Sequence, residues 1–295
     1  MSSPLWIPAT LAASVFQVGR NALQRSLSAA AGPWGATLVR FLFGLPFSLT
    51  FAVIDLLLVR PQFAFGTSFW LSAAAGAASQ VLATATLLMA MHRAGFAVGT
   101  ALQQSSLPLA ALLGLLIYHD RLSGIAWTGV AITTAGLLML GWPRRVDGAR
   151  PLAGAAFGGL SGLLFGFSLN AFRHAALALD AVHPVSSAIV SLAVVQAMQA
   201  STLTAILLVI NPTAVRVVLA GWRTSLAAGL CGSCASSGWF VALALAPAAP
   251  VRALGIVEAP MAALAGHRLF RERLDARQLA AGAMVIAGVV LTSLY

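Results

Sequence analysis

The chain has 295 residues, 60% of them hydrophobic and only 8% charged, with a mean hydropathy of +0.92. A soluble domain is about a quarter charged, so these charges could not cover a water-facing surface of this size, and a soluble globule is excluded. The formal net charge of +10 comes from seventeen arginines against seven acids; scattered between apolar runs, the arginines read as markers of membrane-span ends, not as a nucleic-acid face.

No lysine occurs anywhere. That removes a P-loop GK[ST], any lysine Schiff base and a Ser-Lys nucleophile pair. No HExxH, GxSxG or clustered His and carboxylates is present, so an enzyme is not expected and no cofactor or metal is called for. Cys231 and Cys234 form one CxxC inside an apolar segment, which reads as small-residue packing.

Apolar runs of about 20 residues place ten transmembrane helices, at 4–24, 33–59, 66–91, 97–118, 123–142, 152–172, 184–210, 222–245, 250–270 and 275–295. The first has no basic leader and is expected to be a span, not a cleaved signal peptide. Its Gln17 and Asn21 share a face, while Arg20 and Arg25 near its end are expected to anchor at the interface. Arg40, seven residues past Pro33, would lie about 10 Å into the second span, placed to meet a substrate carboxylate or an ion-pair partner, or to snorkel. Gln80 and Thr84 share a face of the third span, and Gln103 and Gln104 precede Pro108 in the fourth.

In the second half, Gly154, Gly158, Gly162 and Gly166 form a small-residue stripe on the sixth span, which also carries Asn170. Gln196 and Gln199 lie in the seventh span, Trp239 and Phe240 in the eighth. Glu258, two residues before Pro260 in the ninth, is the strongest candidate: a carboxylate in a span is a functional-site candidate by default, and the proline frees a backbone carbonyl near Ile256. Arg40 is its natural partner to consider. Interhelical hydrogen bonding would explain any one amide; together they describe a neutral cavity suited to a zwitterion or polar metabolite. The substrate site is therefore expected at Gln17, Asn21, Gln80, Thr84, Gln104, Asn170, Trp239 and Glu258, with Arg40 as a further contact or ion pair.

An internal repeat organises the chain. Pro108 to Gly114 (PLAALLG) recurs as Pro260 to Gly266 (PMAALAG), an offset of 152, and ten of 29 positions from 108 to 136 are identical at that offset. Asp120 and Glu272 correspond, and each is expected to cap or pair at a helix junction. The expected architecture is an all-α integral membrane protein of two five-helix repeats, residues 1–142 and 152–295, joined by a loop at 143–151. Five being odd, the second repeat would enter the membrane inverted around a central cavity.

The Pro-centred fourth span and the junctions Asp120-Arg121-Leu122 and Glu272-Arg273-Leu274, with the five-plus-five layout, resemble the drug/metabolite transporter superfamily, EamA type, over nearly the whole chain. Asp120 departs conservatively from the usual glutamate. The resemblance implies a multi-pass protein of the bacterial inner membrane that exports small metabolites, amino acids prominent among them and aromatic ones included, driven by protons or by the substrate gradient. With proton coupling Glu258 would be the carrier; facilitated diffusion needs none. The alternatives are a multidrug exporter or one for sugars or nucleosides, with a membrane-embedded enzyme or a passive channel further off. Partners are the substrate, the bilayer and the coupling proton, with no nucleic acid and a monomeric chain. On orientation two expectations oppose: arginine counts by connection put both termini outside, whereas the resemblance puts them in the cytoplasm.

Overall fold

A computed structural model describes residues 4–61, 63–118, 123–141, 151–258, 261 and 276–293. Among them the structure is helical, with no strand. In chain order the helices are α1 (Trp6–Leu42), α2 (Leu45–Val59), α3 (Thr67–Ala94), α4 (Phe96–Gln103), α5 (Ser106–Tyr118), α6 (Gly124–Gly141), α7 (Pro151–Leu179), α8 (Pro184–Ile210), α9 (Pro212–Ala220), α10 (Trp222–Leu245), α11 (Ala248–Gly255) and α12 (Ala276–Ser293).

Among the described residues five helical stretches are long and apolar enough to cross a bilayer: Trp6–Val59, Thr67–Ala94, Leu152–Leu179, Pro184–Ile210 and Trp222–Leu245. The last four match the expected spans at 66–91, 152–172, 184–210 and 222–245. Leu57, Leu58, Leu116, Val209 and Ile210 stand exposed, while Arg20, Gln24, Arg40, Gln104, Arg252 and Glu258 are buried. Apolar groups outside and polar groups inside invert the soluble pattern. The chain is a membrane-embedded helical protein.

The first expected span was too short. α1 continues through Ser26 to Ala31, where small residues lower hydropathy without breaking the helix, and turns at Gly32, whose φ of 69° is left-handed backbone that glycine supplies cheaply. Pro33 follows, and the chain is helical again to Leu42. The break at Phe43-Gly44 before α2 leaves carbonyls that lipid could not satisfy. Gln196 Nε2 donates to Arg40 O (3.2 Å) and Phe41 O (3.3 Å), and Ser233 Oγ donates to Gly44 O (2.7 Å). α9 was not foreseen. Asn211 caps it by accepting from Ala214 N at 3.2 Å, Pro212 occupies its first turn, and its Val215 and Val218 are buried.

The fourth expected span is two helices. α4 stops at Gln103 and α5 restarts at Ser106, with Ser105 N bonding Leu102 O (3.1 Å) in a tightened turn. Pro108 has no N–H for the Gln104 carbonyl, which accepts from Leu107 N instead (3.0 Å). The same interruption recurs 152 residues later. α11 spans 248–255 as α4 spans 96–103, Val257 N bonds Leu254 O (3.3 Å), and helix resumes at Glu258 as it does at Ser106.

α6 and α12, at 124–141 and 276–293, share the offset and pack on each other. A Cβ added at Gly136 would come within 2.9 Å of Val285 Cγ2 and 3.0 Å of Ala281 O. One added at Gly288 would meet Thr133 N at 2.6 Å and Gly129 O at 2.7 Å. Both pairs of neighbours are related by the same 152 residues, so each helix presents to the other the contact it receives. Asp120, Pro260, Glu272 and the 143–150 stretch lie outside the described residues, as do the junction motifs they belong to.

The glycine stripe on α7 is a packing surface. Added Cβ atoms at Gly154, Gly158, Gly162 and Gly166 would run into Ala94, Leu102, Ser106 and Ala110. α7 thus lies against α3, α4 and α5 at close range, reaching the α5 backbone directly at Gly166. The cysteines of the CxxC are free, and Cys231 stands opposite Gly19 on α1.

Candidate functional site

Three buried arginines and one buried carboxylate occupy the middle of the described structure: Arg20, Arg40, Arg252 and Glu258. Each is accounted for by the helix interruptions and the small face of α10. Glu258 opens the helix after the second interruption, and Arg252 lies six residues before it on α11. The two meet at 3.2 Å, Arg252 Nη1 to Glu258 Oε1. Arg252 Nε donates to Ser106 Oγ (2.7 Å), and its Nη2 donates to Gln104 Oε1. Gln104 Nε2 in turn donates to Glu258 Oε2 (3.3 Å).

Gln17 connects this cluster to α1 and α10. Its Nε2 donates to Glu258 Oε2 (2.7 Å), and its Oε1 accepts from Trp239 Nε1 (2.8 Å). The Arg252 guanidinium lies 5.2 Å from the Trp239 ring centroid, within cation–π range. Both interruptions are thereby tied together by one polar network, and the carboxylate is met only by donors. Such a network is held by its completeness, since each member buried without a partner would cost about 1–3 kcal/mol.

Arg40 is arranged differently. Nη1 donates to Thr84 Oγ1 (2.9 Å) and Nη2 to Ser236 Oγ (3.3 Å), while among the described residues Nε has no hydrogen-bond partner. Thr84 spends its own proton on Gln80 O (2.9 Å). Gly232 lets two cationic stems pass on one side of α10: a Cβ there would sit 3.4 Å from both Arg20 Cδ and Arg40 Cγ. Arg20 bonds Asn21 Oδ1 through Nε (3.2 Å) and Nη2 (2.7 Å), leaving Nη1 without a hydrogen-bond partner among the described residues.

Between these groups lies a small cleft with a cavity volume of about 20 Å³, room for about one water molecule, so a metabolite enters only if the surrounding helices part. Its polar side is Gln17, Arg40, Gln80, Gln103, Ser236 and Arg252; its apolar side is Phe165, Leu169, Phe172, Trp239, Phe240 and Leu243. Phe172 and Phe240 stack at 4.6 Å between centroids. Gln103 Oε1 is buried without a donor.

Of the expected site residues, Gln17, Gln80, Trp239 and Arg40 line the cleft. Gln104 and Glu258 stand behind it in the network, and Thr84 holds Arg40. Asn170 does neither: its Nδ2 stitches α7 to α5 through Ala110 O (3.1 Å) and to Gly166 O (3.0 Å). Asn21 serves Arg20. Gln199 donates to Gln80 Oε1 (2.9 Å), fixing that amide from α8.

Four expectations are corrected. Arg20 is fully buried, not an interfacial anchor, because α1 continues well past the expected end of the span. Arg40 does not snorkel, and Glu258 pairs with Arg252 instead of with it. Arg252, counted from the sequence as a connection charge, is the arginine that sequence reasoning missed; its position six residues before the only acid of the ninth span was the available signal. The cavity is also not neutral, since two arginines line it and the described carboxylate is engaged.

No family model matches the chain, and no curated protein does. A solved structure described as "Crystal structure of protein" superposes with a TM-score of 0.65 at 15% identity, covering 97% of this chain and 96% of that one. At that identity the likeness is one of fold alone, extending over practically the full length of both chains.

Proposed function

We propose that this chain is a secondary transporter that exports small metabolites, amino acids foremost and neutral or aromatic ones in particular, across the bacterial plasma membrane. It works as ten membrane helices in two inverted five-helix halves, residues 1–142 and 152–295, that expose one mid-membrane site alternately to either side. This is the activity implied by the resemblance to EamA-type drug/metabolite transporters. The observation that carries it is the pair of helix interruptions at 104–105 and 256–257, one repeat length apart and joined by buried polar groups beside a cleft. Discontinuous helices at corresponding places in two repeats are the hallmark of transporter binding sites, because interrupted backbone is tolerated at membrane depth only inside protein or against a cavity. The reciprocal Gly136 and Gly288 contacts support the two-fold relation of the halves.

Counterflow in proteoliposomes across a broad amino-acid panel tests this reading, with accelerated exchange expected for neutral and aromatic members. Failure of every amino acid, with exchange of a sugar, nucleoside or drug, would move the substrate class. Product formation without any flux would make the chain an enzyme.

A further inference from the structure

The cleft contains an asymmetry of charge that bears on which end of a ligand it recognises. Among the described residues its buried ionic groups are Arg20, Arg40, Arg252 and Glu258. Arg252 and Glu258 satisfy each other, and the carboxylate receives Gln17 and Gln104 besides. Among the described residues Arg40 faces the cleft with no anionic partner: it has two neutral hydroxyls, the Phe41 ring centroid 5.2 Å from its guanidinium, and an open Nε. Arg20 adds a second positive charge across Gly232. Ser236 accepts from Arg40, and among the described residues its own proton has no acceptor. An unpaired buried cation is costly, and guanidinium beside hydroxyl matches a carboxylate in both charge and geometry.

Among the described residues nothing comparable awaits an ammonium group. The carboxylate is occupied, the Trp239 ring is already paired with Arg252 at 5.2 Å, and the open acceptor in the cleft, Gln103 Oε1, is neutral. The opposite wall is apolar and aromatic. We infer that the cleft, widened by parting of its helices from the closed volume it has here, takes amphipathic organic carboxylates, held through the carboxylate at Arg40 and Ser236 with the apolar body against Phe165, Leu169, Phe172 and Phe240, and that a ligand ammonium is not required. This rests on the transport reading for its biological use but narrows the substrate class to acids, whether or not they carry an amine.

The test uses the purified full chain in lipid nanodiscs, titrated calorimetrically with three probes sharing one phenyl body: phenylalanine, phenylacetate and phenethylamine. Phenylalanine and phenylacetate are expected to bind with Kd values within about threefold, and phenethylamine at least about tenfold more weakly, the loss of one charge-assisted contact. Arg40→Gln should weaken both carboxylates by at least about tenfold. Phenethylamine binding as tightly as phenylacetate, no binding by either carboxylate, or an unchanged phenylacetate Kd in a monodisperse Arg40→Gln protein would each overturn the inference. The probe series on the unaltered chain decides the matter if that variant does not fold. Flux in proteoliposomes separates the two readings: carboxylate binding without flux defeats transport and leaves the acid site standing, whereas flux of phenethylamine alone defeats the acid site and leaves transport standing.

Discussion

Arg252 and Glu258, six residues apart, reach across the interruption at 256–257 and meet at 3.2 Å with both side chains buried. The pair does at this break what backbone hydrogen bonds do within a helix. Removing one partner would strand a charge in a dry site, which costs about 3–5 kcal/mol, whereas exchanging both for apolar groups of similar volume is often neutral. Arg252→Met should therefore lower the thermal midpoint more than Arg252→Met combined with Glu258→Met, read by unfolding in detergent. An additive double variant would contradict the pairing.

Glu258 receives Arg252, Gln17 and Gln104, so on the transport reading Glu258→Gln tests whether this carboxylate acts as a structural partner or as the proton carrier. Glu258→Gln is expected to reduce flux at every pH without changing the shape of the pH profile across the mildly acidic and neutral range. A flattened profile in the variant would restore Glu258 as the proton carrier.

At the α6–α12 contact, Gly136→Ala and Gly288→Ala each force a methyl group onto the facing backbone, within 3.0 Å and 2.6 Å of main-chain atoms respectively. Each should cost about 1–3 kcal/mol, as overpacking does. Gly282→Ala on the same helix meets nothing within 4 Å and should be neutral or stabilising by up to about 1 kcal/mol from helix propensity. Thermal midpoints of the three variants check the contrast.

Gln196→Leu removes the donor shared by the Arg40 and Phe41 carbonyls at the α1–α2 break. The expected loss is about 1–3 kcal/mol, read as a lowered thermal midpoint.

Between α7 and α8, Asp180 accepts from Val182 N (2.7 Å) and meets His183 Nδ1 at 2.8 Å. The His183 hydrogen bond, ahead of those from the backbone, holds its carboxyl below the ordinary aspartate value. A depressed folded value means the contribution is present above the unfolded value and fades as pH falls through the folded one. Asp180→Asn should remove a small, acid-sensitive part of the stability, so the gap between wild type and variant closes at strongly acidic pH. A gap that persists there would contradict this.

What could be read from residues alone was the period. The PLAALLG and PMAALAG segments announced a repeat, and the described helices that flank them, α4 with α11 and α6 with α12, begin and end at the same offset. The polar residues of the core were also legible, because an amide or carboxylate in an apolar run has few places to go. The pairing was not. Arg252 sits close to Pro250, at what hydropathy takes for the edge of a span, and nothing local shows that the helix stops at Gly255 and restarts at Glu258. Arg20 was misplaced for a related reason: hydropathy ends a span where alanine, serine and glycine begin, whereas helix geometry does not. Summing the amides also hid the charge of the cleft, because one guanidinium outweighs several neutral dipoles.

The offset that relates the two interruptions also shows where they differ. Glu258 corresponds to Ser106 and Arg252 to Thr100, a buried hydroxyl without a partner. One half carries an ion pair where the other carries two hydroxyls, on matching backbone. Two chemically identical halves would make the inward- and outward-open forms equal in energy. On the transport reading proposed above, this exchange of charge for hydroxyl is one asymmetry that would favour one side at rest, and reversing it, with Thr100→Arg and Ser106→Glu against Arg252→Thr and Glu258→Ser, is expected to shift that preference.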